Sequence, residues 1–459
     1  MENDDDFDHK APRLRGKKEG TFAYYTVKDR WPKIVTGLVD QLARKRAELI
    51  EKYGINAEND IELVLEAFSK LRYEIMTDKP LCNLTDSQMD AQMWVALLGE
   101  MRTATMPDEV EQLTFFKGPW LFVECWLYRY IWSAFAKCSK LCDYDYFQDS
   151  KRKNFLDHLP QIEEAAAFIN KISAKGAPVH ELFGINTILK MSLWGNRADM
   201  SLTGGDDNTM KMSSMSASSK LSEYVLIDDI NELIVKVLAP LQAKNANKYR
   251  DSAPGCRRID IILDNAGVEL TGDLVLAEFL ISRNFADRVI LHGKRIPWFV
   301  SDVTRNDFNW TLEQLKTSSS DESSNVESRK LGESLEKRLK NGELEYRDEL
   351  FWISPHAYFV MEKEAPELYE EFKTSSLLIF KGDLNYRKLI GDRDWDLDTS
   401  FKTACRGFEP CPFLALRTLK AETVAGLSAE TINTLLEKFE EDNSWMTSGD
   451  YAVCQLGGI

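Results

Sequence analysis

The sequence lacks the features of secreted and membrane-embedded proteins. None of its 459 residues belongs to an uninterrupted apolar run of the roughly 20 residues that a membrane helix requires. The first residues, MENDDDFDHK, are acidic, whereas a signal or transit peptide is basic and apolar. The eight cysteines are dispersed without the spacing of a disulfide framework, so most should be reduced thiols. We therefore expect a cytoplasmic protein, which could also enter the nucleus, and no membrane partner.

Positive charge is also scarce. The chain has 58 Lys and Arg against 74 Asp and Glu, which gives a net charge of −16. Non-specific affinity for nucleic acid depends on a basic surface, so we do not expect a nucleic-acid partner. A small anionic substrate would need cations gathered in one pocket. With 44% hydrophobic and 11% aromatic residues the chain can build a large core, and global disorder is excluded.

Several common catalytic signatures are absent. There is no G-x-x-x-x-G-K-[ST] loop, no H-E-x-x-H and no G-x-S-x-G, and the five histidines form no motif. Cys138 and Cys142 lie four positions apart on a predicted helix. Without a second Cys or His pair they are more typical of a buried structural pair than of a zinc site.

The N-terminal half has the periodicity of helices. Residues 1–20 are charged and aperiodic, which predicts a disordered arm with order beginning near Thr26. A helical region is predicted at 21–222, and its serine-rich stretch at 201–220, like another at 317–328, predicts a loop. The predicted helices are 31–54, 60–76, 86–101, 155–172 and 179–193, together with 119–138, whose nearly all-round aromatic surface predicts a buried helix.

From about Tyr224 short β-branched runs alternate with helical segments, which delimits an α/β domain at residues 223–459. The predicted strands are YVLID, RRIDIILDN, RVILHGK, WFVSDV, SLLIFKGD, PFLALRTLK and YAVCQL. This alternation favours a mostly parallel sheet covered on both faces. The predicted fold is α/β, with a helical N-terminal region packed on a C-terminal three-layer α/β/α sheet. In such sheets ligands bind beyond the carboxyl ends of the strands.

Two of the predicted strands end in acidic residues. The run IDIILDN brings Asp264 and Asn265 to a strand end, and WFVSDV ends around Asp302. A strand–helix–strand unit of this length places two carboxyl ends side by side in a parallel sheet. Carboxylate and carboxamide oxygens suit Mg²⁺ or Mn²⁺. Asp264 or Asn265 alone could be a helix cap, but together with Asp302 they favour one shared divalent ion at a catalytic site.

Other strand ends carry positive charge. SLLIFKGDLNYRKL places Lys381, Gly382 and residues 383–387 after a strand, and PFLALRTLK adds Arg417 and Lys420. Backbone N–H groups that open a helix, with Lys and Arg nearby, form an anion cradle. An ordinary strand-to-helix turn with a basic rim is the alternative. An acidic metal site flanked by cations is what cleavage of a phosphate ester requires.

A set of segments stands out together over most of the chain from about residue 20: GPWLFVECWLYRYI, LWGNRADMSL, IILDNAGVEL, ILHGKRIPWFVSDV, KGDLNYRKL and LALRTLK. In this order they resemble the damage-control phosphatase family of metal-dependent sugar-phosphate phosphatases, in the eukaryotic branch also described as a protein-glutamate methyltransferase. The resemblance implies that Asp264, Asn265 and Asp302 bind the metal, as Mn²⁺, Mg²⁺, Ni²⁺ or Co²⁺. It also implies a substrate site made of Asp264, Asn265, Asp383, Leu384, Asn385, Tyr386, Arg387 and Lys420.

The implied activity is hydrolysis of small phosphomonoesters, sugar phosphates such as fructose 1-phosphate among them, with Lys420 and Arg387 balancing the charge. The alternative is an S-adenosylmethionine-dependent protein carboxyl (glutamate) O-methyltransferase, for which the resemblance assigns Glu269 and Asp302 to the cofactor. A typical methyltransferase turn carries a G-x-G loop, whereas the turn DNAGVE has one glycine. A non-catalytic scaffold, the third alternative, would have no use for carboxylates and cations clustered on one edge.

Three further polar residues, Glu124, Arg129 and Asn196, lie in family-like segments. Buried ion pairing and a helix C-cap explain them at least as well as a functional role does. We therefore assign them no part in the site.

Overall fold

The N-terminal half folds into helices, as the periodicity predicts. The structure is a computed structural model that describes residues 11–104, 113–173, 181–195, 222–246, 257–317, 325–440 and 442–459. Asn196, Cys256 and the loop at 201–220 lie outside these ranges. Helix α1 (Phe22–Tyr25) continues through a π-helical turn (Thr26–Arg30) into α2 (Trp31–Tyr53). Next come α3 (Ala57–Met76), α4 (Ala91–Ala104), α5 (Trp120–Ala136), α6 (Gln148–Asp157), α7 (Leu159–Ser173) and α8 (Glu181–Trp194).

Helix α5 is the predicted buried helix, and most of its side chains are inaccessible to solvent. Its two charged residues are neutralised internally. Arg129 pairs with Asp86 at 2.8 Å and with Asp90 at 2.7 Å, and Glu124 accepts a hydrogen bond from Arg387 at 2.7 Å. Buried ion pairing therefore accounts for both.

The predicted helix 155–172 is in fact two helices. Helix α6 begins earlier than expected and ends at Asp157, and α7 begins at Leu159. Pro160 explains the break, because proline lacks an N–H group and is favoured in the first turn of a new helix.

The C-terminal half forms one mostly parallel sheet. Its strands are β1 (Val225–Asp228), β2 (Arg258–Ile262), β3 (Arg288–His292), β4 (Leu344–Arg347), β5 (Leu377–Lys381), β6 (Phe413–Thr418) and β7 (Ala452–Gly457), in the order β1-β7-β6-β5-β2-β3-β4. All neighbours are parallel except β6 and β7.

Helices connect the strands and cover the sheet. They are α9 (Ile230–Leu233), α10 (Ala239–Ala246), α11 (Val268–Ser282), α12 (Arg305–Thr317), α13 (Val326–Lys340), α14 (Met361–Glu364), α15 (Pro366–Phe372), α16 (Gly382–Ile390), α17 (Phe401–Ala404) and α18 (Ala429–Phe439). A π-helical turn (Ile234–Leu238) joins α9 to α10. Helix α13 begins inside the predicted loop 317–328, at Val326.

The strands alternate their side chains between two apolar layers, which gives the predicted α/β/α architecture. On β2, Ile259 and Ile261 pack into one core with α7, α8, α11 and α13, whereas Ile262 packs into the opposite core with α15, α16 and α18. A third core unites α2 to α5. Helices α6 to α8 therefore share a core with the sheet, while α1 to α5 pack mainly with one another.

One predicted strand is wrong. The segment WFVSDV is irregular, and the corresponding place in the sheet is taken by β4, which the sequence pattern did not reveal. Phe299 and Val300 have positive φ angles of 43° and 70°, which no extended strand accommodates. Strand β4 is a short edge strand with charged residues at alternate positions, so its apolar signal is weak.

Residues 11–16, which belong to the predicted disordered arm, pack against the rest of the protein. Ala11 is 1% exposed, Leu14 N donates to Asp392 O at 3.0 Å, and Trp120 N donates to Leu14 O at 2.8 Å. Residues 11–16 thus link α5 to the turn after α16, and residues 1–10 lie outside the described part.

The expectations about disulfide bonds and membrane helices can be compared with the described residues. The seven cysteines among them are free thiols, as predicted. No helix in that part of the chain is long and apolar enough to cross a membrane.

His292, the last residue of β3, is buried between two carboxylates. Its Nε2 atom lies 2.9 Å from Asp260 Oδ1, and its Nδ1 atom lies 3.2 Å from Glu349 Oε2. Burial by itself lowers the pKa of the imidazole, but the hydrogen bonds to both carboxylates outweigh it and raise the pKa to about 9. The histidine is therefore a buried cation that ties β2 to β3 and to the loop after β4.

The chain reverses direction across the sheet beside β2. It proceeds from β2 through β3 to β4 at one edge, and then crosses to β5 on the other side of β2. A reversal of this kind leaves a crevice beyond the carboxyl ends of the two strands, where ligands of α/β proteins bind. Asp264 follows β2 and Gly382 follows β5, so both lie at this crevice.

Candidate functional site

The turns that follow β2 and β3 lie against each other and bring the predicted acidic residues together. Asn265 and Asp302 form an isolated antiparallel β-bridge. Val303 N donates to Asp264 O at 2.9 Å, and Ala266 N donates to Ser301 O at 2.7 Å. The neighbourhood predicted for Asp264, Asn265 and Asp302 is thus present, although a folded loop rather than a strand brings Asp302 there.

Negative charge is concentrated and buried at this point. Burial, followed by the charges of Glu269 and Asp302, raises the pKa of Asp264 well above its ordinary value. Burial also raises the pKa of Asp302 to about 6, although Lys294 opposes the shift. Asp302 is only 2% exposed. A half-buried and a buried carboxylate side by side, Asp264 and Asp302, favour the approach of a cation, because it would offset their mutual repulsion.

Lys294 is a cation of the site that sequence reasoning missed. Its Nζ atom lies 3.2 Å from Asp302 Oδ2 and 3.3 Å from the carbonyl oxygen of Leu263. The strand register contained a signal for it. Ile262 on β2 pairs with His292 on β3, so Lys294 occupies the same position after β3 that Asp264 occupies after β2.

The side chains fit a hard divalent cation. Despite the nearby Lys294, Asp302 Oδ2 is buried with no well-formed hydrogen bond among the described residues. Asn265 Oδ1 accepts from Ser301 Oγ at 2.5 Å, which leaves room for a second partner on that oxygen. No three His, Cys, Asp or Glu residues in the described ranges cluster as a metal site. An ion here would therefore need the amide oxygen of Asn265 and water besides the two carboxylates.

Gly382, at the start of α16, is pressed against Asp264. Its φ is +83°, a left-handed value that glycine adopts freely. A Cβ atom at this position would overlap the Asp264 carboxylate and would lie 2.7 Å from the Asp264 Cβ atom. Only glycine lets the first turn of α16 approach the carboxylate this closely, and the first N–H groups of a helix have no partners within it.

Three of the predicted substrate-binding side chains hold the protein together. Asn385 Nδ2 donates to the carbonyl oxygens of Lys381 at 2.7 Å and Leu263 at 3.3 Å, and its Oδ1 accepts from Tyr358. Tyr386 donates to Gln455 Oε1 at 2.7 Å. Leu384 is buried in the core of α2 to α5. These three side chains position α16, and any contact they make with substrate falls to their backbone.

The charged residues of the same stretch are already paired. Arg387 forms ion pairs with Glu124 and Asp392, each at 2.7 Å, and is almost fully buried. Arg417 pairs with Asp383, also at 2.7 Å. The charge of Arg387 is therefore neutralised before any substrate binds, which differs from the charge-balancing role expected for it.

Lys420, unlike Arg387 and Arg417, has an ammonium group that is not already paired among the described residues. Its backbone N–H donates to Asp383 Oδ1 at 3.1 Å, but no ion pair of its ammonium group occurs among the residues that the structure describes. Its charge acts to lower the pKa of Asp264, so the ammonium lies within electrostatic reach of the acidic pair. Of the cations predicted at the strand ends, Lys420 is the one available to an anion.

Glu269 and Lys381 form a buried network behind the site. Glu269 Oε2 accepts from Asn265 Nδ2 at 2.7 Å, and Lys381 Nζ lies 3.3 Å from Glu269 Oε1 and 3.0 Å from Asp273 Oδ1. Lys381 thus supports the acidic residues from within rather than forming part of an open anion cradle.

Comparison with known proteins gives a family model and named relatives that agree over most of the chain. Residues 26–435 match the model of the damage-control phosphatase ARMT1-like domain. The chain is 38% identical to "Damage-control phosphatase ARMT1" of Xenopus laevis over 96% of this chain and 98% of the relative. It is 39% identical to the protein of the same name in Mus musculus, over 97% and 98%. Among solved structures, a DUF89 family protein from Pyrococcus horikoshii matches with a TM-score of 0.37 and 15% identity, over 92% of this chain and 97% of that chain.

Proposed function

The chain belongs to the ARMT1-like damage-control phosphatase family, and from this premise we propose that it is a metal-dependent phosphatase for small phosphomonoesters. One observation carries the proposal: the half-buried Asp264, the buried Asp302, an available lysine and the start of a helix meet at the crevice between β2 and β5. Acidic residues alone would suit many ions. The adjacent lysine and helix N-terminus suit a phosphoryl group, which binds to such donors.

Asp264, Asn265 and Asp302 would hold the divalent ion. When bound, such an ion supplies a Lewis acid that activates water and offsets the negative charge of a phosphoryl group. The hydrogen bonds from Asn265 Nδ2 to Asp264 at 2.9 Å and to Glu269 orient the amide so that Oδ1 faces the Asp302 turn. The residues are thereby arranged before an ion or a substrate arrives.

The chain's own cations and N–H groups would bind the phosphoryl group. Lys420 would provide an ammonium group that has no ion pair among the described residues, and the first turn of α16, beginning at Gly382, would provide backbone donors. Lys294 stays with Asp302 and tempers the local negative charge. We therefore propose that Lys420 and Lys294 balance the negative charge of the phosphoryl group and the carboxylates. Arg387 does not have this role, because its guanidinium is ion-paired with Glu124 and Asp392.

Sugar phosphates such as fructose 1-phosphate are the proposed substrates. The site lies below the protein surface, since Asp302 and Lys294 are 2% and 1% exposed. A phosphate on a small, flexible molecule would reach such a site more readily than a carboxylate on a folded protein, which would need local unfolding. Depth therefore supports a small-molecule substrate over a protein substrate.

The contacts of Glu269 weigh against the methyltransferase alternative. Glu269 is 4% exposed, and both of its carboxylate oxygens already have partners, Asn265 and Lys381. A cofactor-binding carboxylate would have to give up one of these buried contacts. In this arrangement Glu269 positions Asn265 instead.

A paired assay tests the proposal. Purified protein, freed of metal with a chelator, is screened against a panel of sugar phosphates with Mn²⁺, Mg²⁺, Ni²⁺ or Co²⁺ added back, while S-adenosylmethionine binding is titrated in parallel. We expect phosphate release that depends on the added ion, and no adenosylmethionine binding. Failure to release phosphate from any of these esters, together with carboxyl methylation in the presence of chelator, would reverse the assignment.

A further inference from the structure

Helix α6 touches both turns that carry the predicted metal ligands, although it belongs to the N-terminal half of the chain. Asn154 contacts the turn after β2, and Lys151 contacts the segment that follows Asp302. We infer that these two residues are positioning residues, which hold the two turns in the conformation that binds the ion. The inference rests on the proposed function and extends it to a helix that carries none of the predicted ligands.

Asn154 caps a helix that lies far from it in sequence. Helix α11 begins at Val268 behind Gly267, which has no side chain with which to cap it. Asn154 Oδ1 accepts from Val268 N at 3.0 Å and fills this role. The approach is close, because a Cβ atom on Gly267 would overlap Asn154 Oδ1 and lie 2.8 Å from its Cγ atom. Asn154 thus fixes the turn that contains Asn265.

Lys151 acts on the other turn through Asp307. Its buried Nζ atom lies 2.6 Å from Asp307 Oδ2 and 2.6 Å from Asp145 Oδ2. Asp307 Oδ2 also accepts from Thr304 N at 2.9 Å and from Thr304 Oγ1 at 2.7 Å. Thr304 is two residues beyond Asp302, so the chain after Asp302 is anchored to α6 by hydrogen bonds that all converge on one carboxylate.

The turns need external support for different reasons. The first contains Gly267 at φ +78°, a value that glycine adopts freely, so its own backbone does little to fix it. The second contains Phe299 and Val300 at positive φ, which strains the backbone. Strained segments persist when surrounding contacts over-determine them. If a contact from α6 is lost, the turns spend part of their time in other conformations. The apparent dissociation constant of the ion then rises in inverse proportion to the competent fraction.

The test compares two caps of the same kind. Asn154→Ala removes the cap of α11. The matched control is Glu163→Ala, because Glu163 on α7 caps α13 in the same way, by accepting from Glu327 N at 2.7 Å and Ser328 N at 2.9 Å. Among the described residues, Glu163 forms no hydrogen bond to either ligand-bearing turn. Both variants and the wild-type protein are titrated with Mn²⁺ by calorimetry after chelation, and their thermal unfolding is recorded without metal.

Loss of a helix cap changes an equilibrium constant by about tenfold. We expect Asn154→Ala to raise the dissociation constant of Mn²⁺ measurably, by up to about this factor. Its kcat at saturating Mn²⁺ should stay within about threefold of wild type because the ligands are unchanged. Glu163→Ala should be destabilised to a similar degree but bind Mn²⁺ normally. If Asn154→Ala does not fold, Asn154→Ser, which keeps an acceptor oxygen, should still raise the dissociation constant by about threefold.

Three results would overturn the inference. One is a dissociation constant that does not change in the Asn154 variant. Another is an equal increase in Glu163→Ala, which would mean that general destabilisation is responsible. The third is a wild-type protein that binds no Mn²⁺ at all; it contradicts the proposed metal site itself and so differs from the first two, in which wild-type binding is normal.

Discussion

Replacing Gly382 with alanine should inactivate the protein without unfolding it. The added methyl group would overlap the Asp264 carboxylate and would lie 2.7 Å from the Asp264 Cβ atom, where ordinary contact begins at 3.4 Å. Rotation of the carboxylate cannot relieve an overlap that reaches the Cβ atom. The whole Asp264 side chain, or the start of α16, must therefore move by roughly 0.7 Å.

The two costs of this change differ in size. A left-handed backbone costs alanine roughly 1–2 kcal/mol, which is modest beside the roughly 5–15 kcal/mol by which domains are usually stable. The displacement has the larger consequence, because an error of about 1 Å in a catalytic group can reduce activity about 100-fold. We expect kcat/KM to fall by about two orders of magnitude. The free energy of unfolding should fall by roughly 2–5 kcal/mol, because the overlap with Asp264 adds roughly 1–3 kcal/mol to the cost of the backbone.

Gly342→Ala is the matched control. Gly342 also has a left-handed backbone, at φ +71°, but a Cβ atom there would meet nothing within 4 Å. It should lose only the roughly 1–2 kcal/mol of the backbone cost and keep wild-type activity. Phosphate release from a sugar phosphate at saturating Mn²⁺ and urea-induced unfolding are measured for both variants. If Gly382→Ala is as active as Gly342→Ala, the close approach of α16 to Asp264 has no role in catalysis.

Three further predictions concern charged groups. Lys420→Ala should lower kcat/KM at least about tenfold, with little change in Mn²⁺ affinity, because a charge-assisted contact to substrate is lost. The control, Lys363→Ala at an exposed lysine, should change neither kcat/KM nor Mn²⁺ affinity. Equal losses in both variants would refute the role of Lys420 in substrate binding. Lys294→Met leaves Asp302 without its cation, so Mn²⁺ should raise the melting temperature of this variant more than that of wild type, and an equal increase would contradict the proposed ion site. His292 has a folded pKa of about 9 against 6.5 unfolded, so its contribution of roughly 3 kcal/mol is complete below pH 6.5 and is lost towards pH 9. Urea unfolding across that range should show this slope in wild type and not in His292→Gln, and the same slope in both would contradict it.

The fold was predictable where the apolar pattern is local and strong. Alternating runs such as those of β2 and β5 identify strands that are buried on both faces, and their order implies a parallel sheet. The error at WFVSDV has a physical cause, since an apolar run can be buried as an irregular loop as readily as in a strand. Trp298, for example, is fully buried without being part of the sheet. Strand β4 was missed because an edge strand needs little apolar character.

The candidate site was predictable where its residues follow strand ends directly. Asp264, Asn265 and Lys420 were found on that basis. The same reasoning overestimated the free positive charge, because Asp273, a partner of Lys381, and Glu124, one of the two partners of Arg387, lie far away in sequence. The other partner of Arg387, Asp392, is only five residues away, but a local pattern does not show that the two side chains meet. Contacts of this range decide which cation remains available, and periodicity contains no information about them.

The supporting contacts from α6 could not be predicted either. Asn154 and Val268 are separated by 114 positions. Their contact depends on how α6 packs against the sheet. This packing is a property of the tertiary structure, and no local motif indicates it.

The central claim is that Asp264 holds an ion on which phosphate release depends, and one measurement tests it most directly. Asp264→Asn and Glu269→Gln are each freed of metal and titrated with Mn²⁺, while phosphate release from fructose 1-phosphate is followed. Both changes replace one carboxylate by its amide, so they are matched in shape and charge. The account predicts that Mn²⁺ restores activity to the wild-type protein, restores a substantial part of it to Glu269→Gln, and restores almost none to Asp264→Asn. Full activity of Asp264→Asn, or phosphate release that persists in the presence of chelator, would contradict it.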